Sequence, residues 1–349
     1  MKEKKVYILH KNGANRHYAG LQYLLEMQGG SIYYREFSIF TKIAKAVKRL
    51  DSQLFIKQIS NLFFLINLVF SKNKKVVLGI PPFDKKLIFL LKILKHHRLF
   101  YHTSWTCWDK SFHPKKHEHK KGVMKAWNFF LEKKVEYIFT VTKESSQQIS
   151  SNFKVDNDRL VVVAHSLTID FKDIYNYDKE DNSFIYLGRL VPQKGIEQML
   201  SCFSKKPSAK LTIIGAGCDQ SLVEDFSKRF KNIEYLPYIN NKKALSKIMA
   251  RHQYLILNSQ KTEKWEELFS LIIIEGMSLG LIPISSDHTG PKEIITEKTG
   301  YLFEEGKIEE ALEFVLAKGY NPMLAKNAIK QSKQYYPEKI AEHWKPILL

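Results

Sequence analysis

Cysteine is scarce in this chain, and its apolar runs are short. The 349 residues include three cysteines, Cys107, Cys202 and Cys218, without the spacing of a metal or redox motif. This odd, scattered count predicts a reducing compartment. The apolar stretch at residues 6–9 is too short for a signal peptide and is typical of a first strand. Since no apolar run approaches ~18 residues, we expect no transmembrane span.

Acidic residues are few in the first half of the chain. Residues 1–175 hold 31 Lys and Arg against 14 Asp and Glu, a net charge of +17, whereas residues 176–349 hold 24 against 22, a net charge of +2. Such an asymmetry indicates that one domain faces an anionic partner, either nucleic acid or an anionic membrane. The chain has no recognised nucleic-acid-binding motif. We therefore predict that the partner is an anionic membrane and that the protein does not bind nucleic acid.

The texture of the basic segments also favours a membrane. Residues 41–75 mix lysines with apolar side chains and predict a basic amphipathic helix followed by an apolar one, and residues 85–95 repeat the pattern. Helices of this kind lie in the interface of anionic membranes. The alternative is that they are ordinary helices that pack on a sheet with their lysines in solvent.

Strands and helices alternate along the chain, which predicts parallel sheets. The polar stretch at residues 170–183 breaks the pattern and is interpreted as a linker. Six strands are predicted before it, at residues 6–10, 31–37, 76–80, 99–102, 137–141 and 160–163.

Two glutamates, Glu267 and Glu275, bracket a stretch that is almost wholly apolar. If the stretch is one buried helix, their spacing of eight places both carboxylates on one broad side, about two turns apart. Buried carboxylates are costly unless a polar ligand meets them, and a polyhydroxylated ligand suits them because a carboxylate accepts several hydrogen bonds. The alternative is a core helix with a glutamate at each solvated end.

Three further motifs lie in the second half, two at the ends of predicted strands and one at the start of a predicted helix. Gly188-Arg189-Leu190 precedes Lys194-Gly195, which places two cations at a strand-to-helix turn suited to phosphate. Gly215-Ala216-Gly217 ends the next strand, and Gly290 opens a helix where an anion can approach the backbone.

In their order and spacing these motifs resemble family-4 retaining glycosyltransferases of the GT-B fold. The resemblance covers residues 183–305, whereas the first half resembles the family only in outline. It implies an α/β protein with two Rossmann-like domains whose parallel sheets face a central cleft. The implied organisation is an acceptor-binding domain at residues 1–169, a linker at 170–183, a nucleotide-sugar-binding domain at 184–335 and a C-terminal helix at 336–349 that crosses back to the first domain.

The resemblance also implies residue roles at the donor. Arg189 and Lys194 would hold the donor diphosphate, Glu275 the nucleotide ribose and Glu267 the hydroxyls of the donor sugar. Two positions, Leu268 and Ser270, depart from the family pattern and leave the sugar identity open. The remaining implied donor-binding positions act through backbone groups or close approach and are Gly13, Gly188, Gly215, Gly217, Leu268, Phe269, Ser270 and Gly290.

Predicted strand ends in the first half supply further candidates. Gly13 and Asn15 follow the first strand, where the family places a glycine loop against donor and acceptor. His102 matches the family's histidine that contacts the donor sugar. Trp105 and Trp108 are predicted acceptor platforms, because an aromatic face packs on the C–H face of a sugar, with burial in the core as the alternative.

The histidines near residues 113–119 lack the spacing of a metal site, so neither a metal nor a cofactor is predicted. The expected function is a metal-independent, retaining glycosyltransferase that uses a nucleotide-sugar donor. The expected acceptor is a glycan or lipid-linked molecule in surface-polysaccharide assembly, and the expected location is cytoplasmic, peripheral at the inner face of the cell membrane. The alternatives are another GT-B enzyme, a nucleotide-sugar epimerase or a phosphorylase, and a basic nucleic-acid-binding protein.

Overall fold

The computed structural model describes residues 4–11, 15–109, 111, 119–167, 178–263 and 265–349, without the side chains of residues 15 and 16. The chain divides into two compact units. Unit 1 comprises Met1–Ser166 and Pro337–Leu349, and unit 2 comprises Leu167–Tyr336.

Unit 1 contains a six-stranded sheet in the order β2-β1-β3-β4-β5-β6, in which all neighbours are parallel. Each of the six predicted strands is present, with ends shifted by at most two residues. Their near-continuous apolar runs are typical of strands buried on both faces. The strands are β1 Lys5–His10, β2 Ser31–Glu36, β3 Lys75–Gly79, β4 Arg98–Thr103, β5 Val135–Thr140 and β6 Leu160–Val162.

Helices, numbered in chain order, cover this sheet. Two of them begin with a side-chain cap, because Asp51 accepts from the Leu54 N–H at the start of α3 and Thr142 accepts from the Ser145 N–H at the start of α6. The helices of unit 1 are α1 Ala19–Met27, α2 Ile39–Lys48, α3 Ser52–Phe70, α4 Lys86–Ile93, α5 Lys121–Phe129, α6 Lys143–Asn152 and α14 Pro337–Trp344.

The C-terminal segment packs within unit 1. A Cβ atom at Gly20 of α1 would lie 2.7 Å from the Ile340 side chain, so glycine allows α1 and α14 to approach closely. Trp344 is fully buried, and its ring centroid lies 4.4 Å from that of Phe139. Lys75 Nζ donates to the Ile347 carbonyl at 2.7 Å, which holds the end of the chain against the amino end of β3.

Unit 2 contains a second six-stranded parallel sheet, in the order β12-β11-β10-β7-β8-β9. The two sheets confirm the predicted α/β class with two Rossmann-like domains. The strands are β7 Ser183–Arg189, β8 Lys210–Ala216, β9 Ile233–Leu236, β10 Tyr254–Leu257, β11 Ile282–Ser286 and β12 Tyr301–Phe303. The helices are α7 Ile196–Ser204, α8 Gln220–Arg229, α9 Lys242–Ala250, α10 Leu271–Ser278, α11 Thr289–Ile294, α12 Ile308–Lys318 and α13 Pro322–Ser332.

The predicted linker, residues 170–183, overlaps the start of unit 2. Residues 168–177 lie outside the described part of the chain. Lys179, by contrast, is fixed, because its Nζ donates to the carbonyls of Ala250, His252 and Leu279 at 2.9–3.2 Å. Packing in unit 2 therefore begins several residues before Phe184, and the linker was predicted too long at this end.

One described helix, α3, is long and apolar enough to cross a membrane by length and composition. It has 19 residues and a mean hydropathy of 1.4, and 28% of it is buried. The expectation of no transmembrane span rested on unbroken apolar runs and stays a prediction, because length and composition alone do not establish a span. Polar residues such as Lys57, Gln58 and Asn61 interrupt α3 without lowering its mean hydropathy below that of a span.

Candidate functional site

The site in unit 2 starts at the carboxyl ends of β7 and β10. From β7 the chain proceeds outward through β8 and β9, and it then returns to add β10, β11 and β12 on the other side. The gap between β7 and β10 is therefore the switch point, where open α/β sheets bind their ligands. Arg189 ends β7, and Asn258 and Ser259 follow β10.

A lysine, a glutamate and a serine meet at this switch point. Lys194 Nζ forms an ion pair with Glu267 Oε2 and lies 3.4 Å from Ser259 Oγ. Ser259 Oγ donates to the same Glu267 oxygen at 3.1 Å. Both charged side chains are largely buried, 13% and 11% exposed, so each compensates the charge of the other. The structure thus brings together two of the predicted site residues and adds Ser259.

Trp265 extends this cluster on its exposed side. The Lys194 ammonium lies 4.7 Å from the centroid of the Trp265 ring, a cation–π distance, and the ring is partly exposed. Sequence reasoning did not select Trp265. The one sequence feature that could have pointed to Trp265 was its proximity to Glu267. An aromatic residue in a loop belongs to no periodic pattern from which its burial could be inferred.

Glycines at the strand ends around these side chains allow neighbouring backbone segments to approach closely. A Cβ at Gly215 would lie 1.9 Å from the Gly188 carbonyl oxygen, and one at Gly217 would lie 2.0 Å from that of Leu190. Gly195 has a φ of +60°, and a Cβ there would lie 2.2 Å from the Asn258 carbonyl oxygen. Glycine is therefore required for the turn after β7 to lie against the end of β10.

Arg189 is exposed at the end of β7, next to a buried tyrosine. The Tyr186 hydroxyl donates to the Arg189 carbonyl at 2.9 Å and fixes the backbone from which the guanidinium projects. Burial, followed by the charge of Glu267, raises the pKa of Tyr186, so this hydroxyl remains a donor at neutral pH. Arg189 at the end of β7 and Lys194 in the turn that follows thus lie close together in sequence at the same strand end.

The two glutamates do not lie on one helix, and that expectation was wrong. The helix α10 begins at Leu271, and Ser270 before it has extended backbone angles, so Glu267 lies in the loop before the helix. Glu275 lies on α10, is 6% exposed and has Lys242 Nζ at 3.5 Å from its Oε1. The residues are nevertheless both buried in unit 2, one in a loop at the switch point and one inside the following helix.

Contacts from the loop around α11 hold the loop that carries Glu267. The Gly290 N–H donates to the Glu267 carbonyl at 3.1 Å, and a Cβ at Gly290 would lie 2.6 Å from the Phe269 nitrogen. The neighbouring carboxylate, Glu266, accepts from Thr289 Oγ1 at 2.8 Å and pairs with Lys261 Nζ at 3.1 Å. Burial alone would raise the pKa of Glu266, but hydrogen bonds from Lys261 and Thr289 outweigh it and hold that pKa below its usual value.

The predicted contacts of Leu268, Phe269 and Ser270 with a ligand remain a prediction. His288 was not predicted, and its Nε2 lies 2.6 Å from the Ser259 carbonyl, which ties the end of β10 to the start of α11. A chain of contacts therefore runs from α11 to Ser259 and Glu267.

Unit 1 has a cavity at its own switch point, where β1, β3 and β4 end. Its volume is about 320 Å³, and its lining includes His10, Gly79, His102, Ser104 and Trp105. The predicted residue His102 therefore lines a cavity at the expected strand end. Burial, together with the neighbouring His17 and His10, holds the pKa of His102 well below its usual value, so the imidazole is neutral at pH 7.

Two further predicted residues of the first half, Gly13 and Asn15, are not fully described. Gly13 lies outside the described residues, and the side chain of Asn15 does as well, although its backbone begins a 3₁₀ turn at Asn15–Tyr18. Their roles at donor and acceptor stay predictions.

The two tryptophans after β4 differ from the prediction. Trp108 is fully buried against Phe83, Tyr101, Trp127 and Phe153, and its Nε1 donates to the Trp105 carbonyl at 2.9 Å. This packing makes Trp108 a core residue, because no face of its ring remains for a sugar. Trp105 lines the cavity but is 9% exposed, with its Nε1 bonded to the Cys107 carbonyl at 2.7 Å.

The family model described as "Glycosyl transferases group 1" matches residues 168–335. This part of the chain, 168 of the 349 residues, is therefore similar to the group 1 glycosyltransferases. The match spans unit 2 and contains the strand ends, the Lys194–Glu267 pair and Glu275.

Two solved structures share the GT-B fold with this chain. HepE of Anabaena, solved with UDP and glucose, superposes with a TM-score of 0.67 at 13% identity over 99% of each chain. WaaB, described as a lipopolysaccharide outer core galactosyltransferase, superposes with a TM-score of 0.62 at 15% identity over 99% of each chain.

Curated relatives match shorter stretches. MJ1607, an uncharacterized glycosyltransferase of Methanocaldococcus jannaschii, is 21% identical over 223 residues, 57% of this chain and 56% of the relative. Sulfoquinovosyl transferase SQD2 of Arabidopsis thaliana is 28% identical over 143 residues, 39% of this chain and 26% of the relative. The chain thus aligns with about half, or less, of the length of these relatives.

Proposed function

We propose that this protein transfers a sugar from a nucleotide diphosphate sugar to an acceptor hydroxyl, with retention of the anomeric configuration and without a metal ion. The observation that carries the proposal is the buried Lys194–Glu267 pair, which shares Ser259 at the switch point of the group 1 domain and follows Arg189 on the same turn. A cation and a carboxylate side by side suit a ligand that presents a phosphate next to sugar hydroxyls.

In this proposal each charged group acts at a stated part of the donor. The bond between the anomeric carbon and the diphosphate oxygen breaks, and negative charge develops on the departing diphosphate while the ring gains oxocarbenium character. Arg189 and Lys194 stabilise the diphosphate, and Glu267 accepts hydrogen bonds from sugar hydroxyls. The acceptor oxygen bonds to the anomeric carbon on the same face, and its proton passes to the departing phosphate.

Glu275 has a separate role in the proposal. Its carboxylate is buried in α10, and Lys242 Nζ lies 3.5 Å from its Oε1, so the side chain is held in place. We assign it to the hydroxyls of the nucleotide ribose. A donor of this type is supported by HepE, which was solved with UDP.

The proposed acceptor is a lipid-linked or otherwise membrane-held glycan in surface-polysaccharide assembly, reached from the cytoplasmic face by peripheral contact with an anionic membrane. The net charge of +17 on residues 1–175 supports it, because an anionic surface concentrates a basic domain. The structural neighbour WaaB, described as a lipopolysaccharide outer core galactosyltransferase, also supports a surface-polysaccharide acceptor.

A thermal-shift panel of UDP-, GDP- and ADP-sugars tests the donor assignment. We expect one nucleotide class to raise the Tm of the wild type, because a ligand that binds only the folded state stabilises it. The Lys194→Ala variant should lose most of that increase, whereas Lys205→Ala should keep it, since Lys205 forms an exposed pair with Glu309. No increase in Tm with any nucleotide sugar would contradict the assignment. If the reaction products were analysed, an epimerised free donor as the sole product would favour the epimerase alternative.

A further inference from the structure

The helix α3 has an apolar stripe on its outer face. We define the outer stripe as Ile56, Ile59, Phe63, Ile66 and Phe70, whose spacing of three and four residues places them on one side of the helix. Ile56 and Phe63 are each 67% exposed, Ile66 is 44% exposed and Phe70 is 83% exposed. A contiguous row of large exposed apolar side chains indicates a binding surface more often than a solvated one.

Polar contacts on the opposite face fix the rotation of α3. Gln58 Nε2 donates to Glu36 Oε2 at 2.9 Å, and Asn61 Oδ1 accepts from the Glu36 N–H at 3.3 Å. Lys57 and Lys42 pair with the same carboxylate at 3.0 and 2.8 Å. The outer stripe cannot turn inward without removing partners from the buried Glu36, so its exposure follows from the packing of unit 1.

Basic residues surround this stripe in sequence. Lys45, Lys48 and Arg49 are exposed on α2 and in the turn that leads to α3, and Leu50 at the same turn is 91% exposed. Residues 41–75 contain one acidic residue, Asp51, whose side chain caps α3. The basic residues of this range are Lys42, Lys45, Lys48, Arg49, Lys57, Lys72, Lys74 and Lys75.

We propose that the outer stripe of α3 lies in the interface of an anionic membrane, with its isoleucine and phenylalanine side chains among the acyl chains and the surrounding lysines at the headgroups. An anionic bilayer supplies both an apolar layer and a negative surface above it, which are the two properties this face requires. A second copy of the chain, paired through the same stripe, would bring two positively charged rims together and is disfavoured.

Insertion of α3 along the interface also fits better than a transmembrane span. A span would place Lys57, Gln58 and Asn61 in the hydrocarbon and leave Glu36 without its partners, which is costly. An interfacial helix keeps these contacts and buries only the outer stripe. The inference rests on the membrane contact in the proposed function and adds the inserting surface, but it does not depend on glycosyl transfer.

Vesicle binding of the full chain tests this proposal. The wild type and the double variant Phe63→Gln/Phe70→Gln are sedimented with vesicles of phosphatidylcholine alone and of phosphatidylcholine with phosphatidylglycerol. We expect the wild type to bind the anionic vesicles, and the double variant to bind them at least about tenfold more weakly at both low and high salt, because the loss is in apolar burial. The matched control is Phe314→Gln in unit 2, a 49% exposed phenylalanine that should bind as the wild type does.

A second set of variants separates the charge from the stripe. Lys45→Gln/Lys48→Gln/Arg49→Gln should weaken binding at low salt and lose its effect at high salt, where the surface charge is screened. Lys42 is left unchanged, because it pairs with Glu36 inside unit 1. The Tm and the nucleotide-sugar binding of the phenylalanine variant are measured as folding controls. A loss of either would mean that the double variant misfolds, and the milder variant Phe70→Gln would then replace it.

Three results would overturn the proposal. The first is a wild type that does not bind anionic vesicles at low salt. The second is a folded phenylalanine variant that binds like the wild type. The third is a wild type that dimerises without vesicles while the phenylalanine variant is monomeric in sedimentation velocity, which would assign the stripe to a second copy. Since nucleotide-sugar binding is measured separately, failure here leaves the proposed reaction untouched.

Discussion

The two units treat charge in opposite ways at equivalent places in their sheets. At the switch point of unit 2, Lys194 and Glu267 are both largely buried and form an ion pair, and the buried Glu266 pairs with the exposed Lys261. At the switch point of unit 1 the buried polar residue is a histidine, His102, packed 4.9 Å from the Tyr18 ring and 5.4 Å from Trp344. Buried charge in unit 2 and neutral buried rings in unit 1 agree with the proposal that the anionic donor binds in unit 2.

The excess positive charge of the first half is on its surface instead. Lys45, Lys48 and Arg49 are exposed, whereas Lys42 and Lys57 form ion pairs with the buried Glu36. Surface charge acts over a broad, screened field, while buried charge acts on one bound group. The comparison therefore separates the proposed donor site, with its buried charges, from the proposed membrane face, with its exposed charges.

The tryptophans give the sharpest way to break this comparison. We expect Trp108→Ala to lower the free energy of unfolding by about 3–5 kcal/mol, because it empties a fully buried position among four aromatic rings. Chemical denaturation followed by far-UV circular dichroism measures the change.

Trp265→Ala is the matched variant in unit 2. Its ring is partly exposed beside Lys194, so we expect a stability change well below that of Trp108→Ala and a weaker donor affinity. If Trp108→Ala were stable and lost only acceptor binding, the assignment of Trp108 to the core would be wrong.

The two cations at the switch point of unit 2 give the next largest effect. Arg189→Ala and Lys194→Ala should each lower kcat/KM by the equivalent of about 2–4 kcal/mol, because each removes a charge-assisted contact with the departing diphosphate. Steady-state kinetics with the donor found in the thermal-shift panel measures the loss. The control, Lys205→Ala, removes an exposed cation of the same unit and should leave turnover unchanged. Near-normal turnover in both site variants would exclude the proposed site.

The fold was predictable because parallel strands leave a strong signal in sequence. Runs such as Val76, Val77 and Leu78 in β3 are wholly apolar, and the spacing of such runs with amphipathic helices between them predicted all six strands of unit 1 to within two residues. The second strong signal was the order of glycine turns after β7 and β8, which matches the close approaches at Gly195, Gly215 and Gly217.

The site was less predictable because its side chains come from loops. An apolar run from Leu268 to Ile274 has the composition of a helix, yet the first turn is absent and Glu267 lies outside α10. The structure shows that Gly290 packs against this loop and that its N–H bonds the Glu267 carbonyl, a contact between segments more than 20 residues apart. Periodicity reports local structure, so it could not reveal a loop held by a distant turn, nor the partners Ser259 and Trp265.

The two glutamates allow a finer division within unit 2. Glu275→Gln should weaken binding of both the donor and the free nucleoside diphosphate product, whereas Glu267→Gln should weaken the donor more than the product, each by about 1–2 kcal/mol. The reason is their different positions, since Glu267 lies beside Lys194 at the strand ends and Glu275 lies inside α10 beside Lys242. Isothermal titration of donor and product measures the four affinities. Equal effects of both substitutions on product affinity would contradict the division of roles.

The smallest expected effect concerns the neutral rings of unit 1. Burial lowers the pKa of His17, and burial with neighbouring histidines lowers those of His102 and His165 well below 6.5. As the pH falls below about 6.5, the unfolded chain binds protons that the folded chain does not, so the free energy of unfolding decreases until the pH passes below the folded pKa values. Replacing one such group, as in His165→Asn, should reduce the slope of stability against pH by up to about 1.4 kcal/mol per pH unit in this window.

Urea denaturation between pH 7 and the acid limit of folding measures this slope, with His96→Asn, at an exposed histidine, as the control. An unchanged slope in His165→Asn would mean that the histidines of unit 1 are solvated and charged, and the contrast between its switch point and that of unit 2 would disappear.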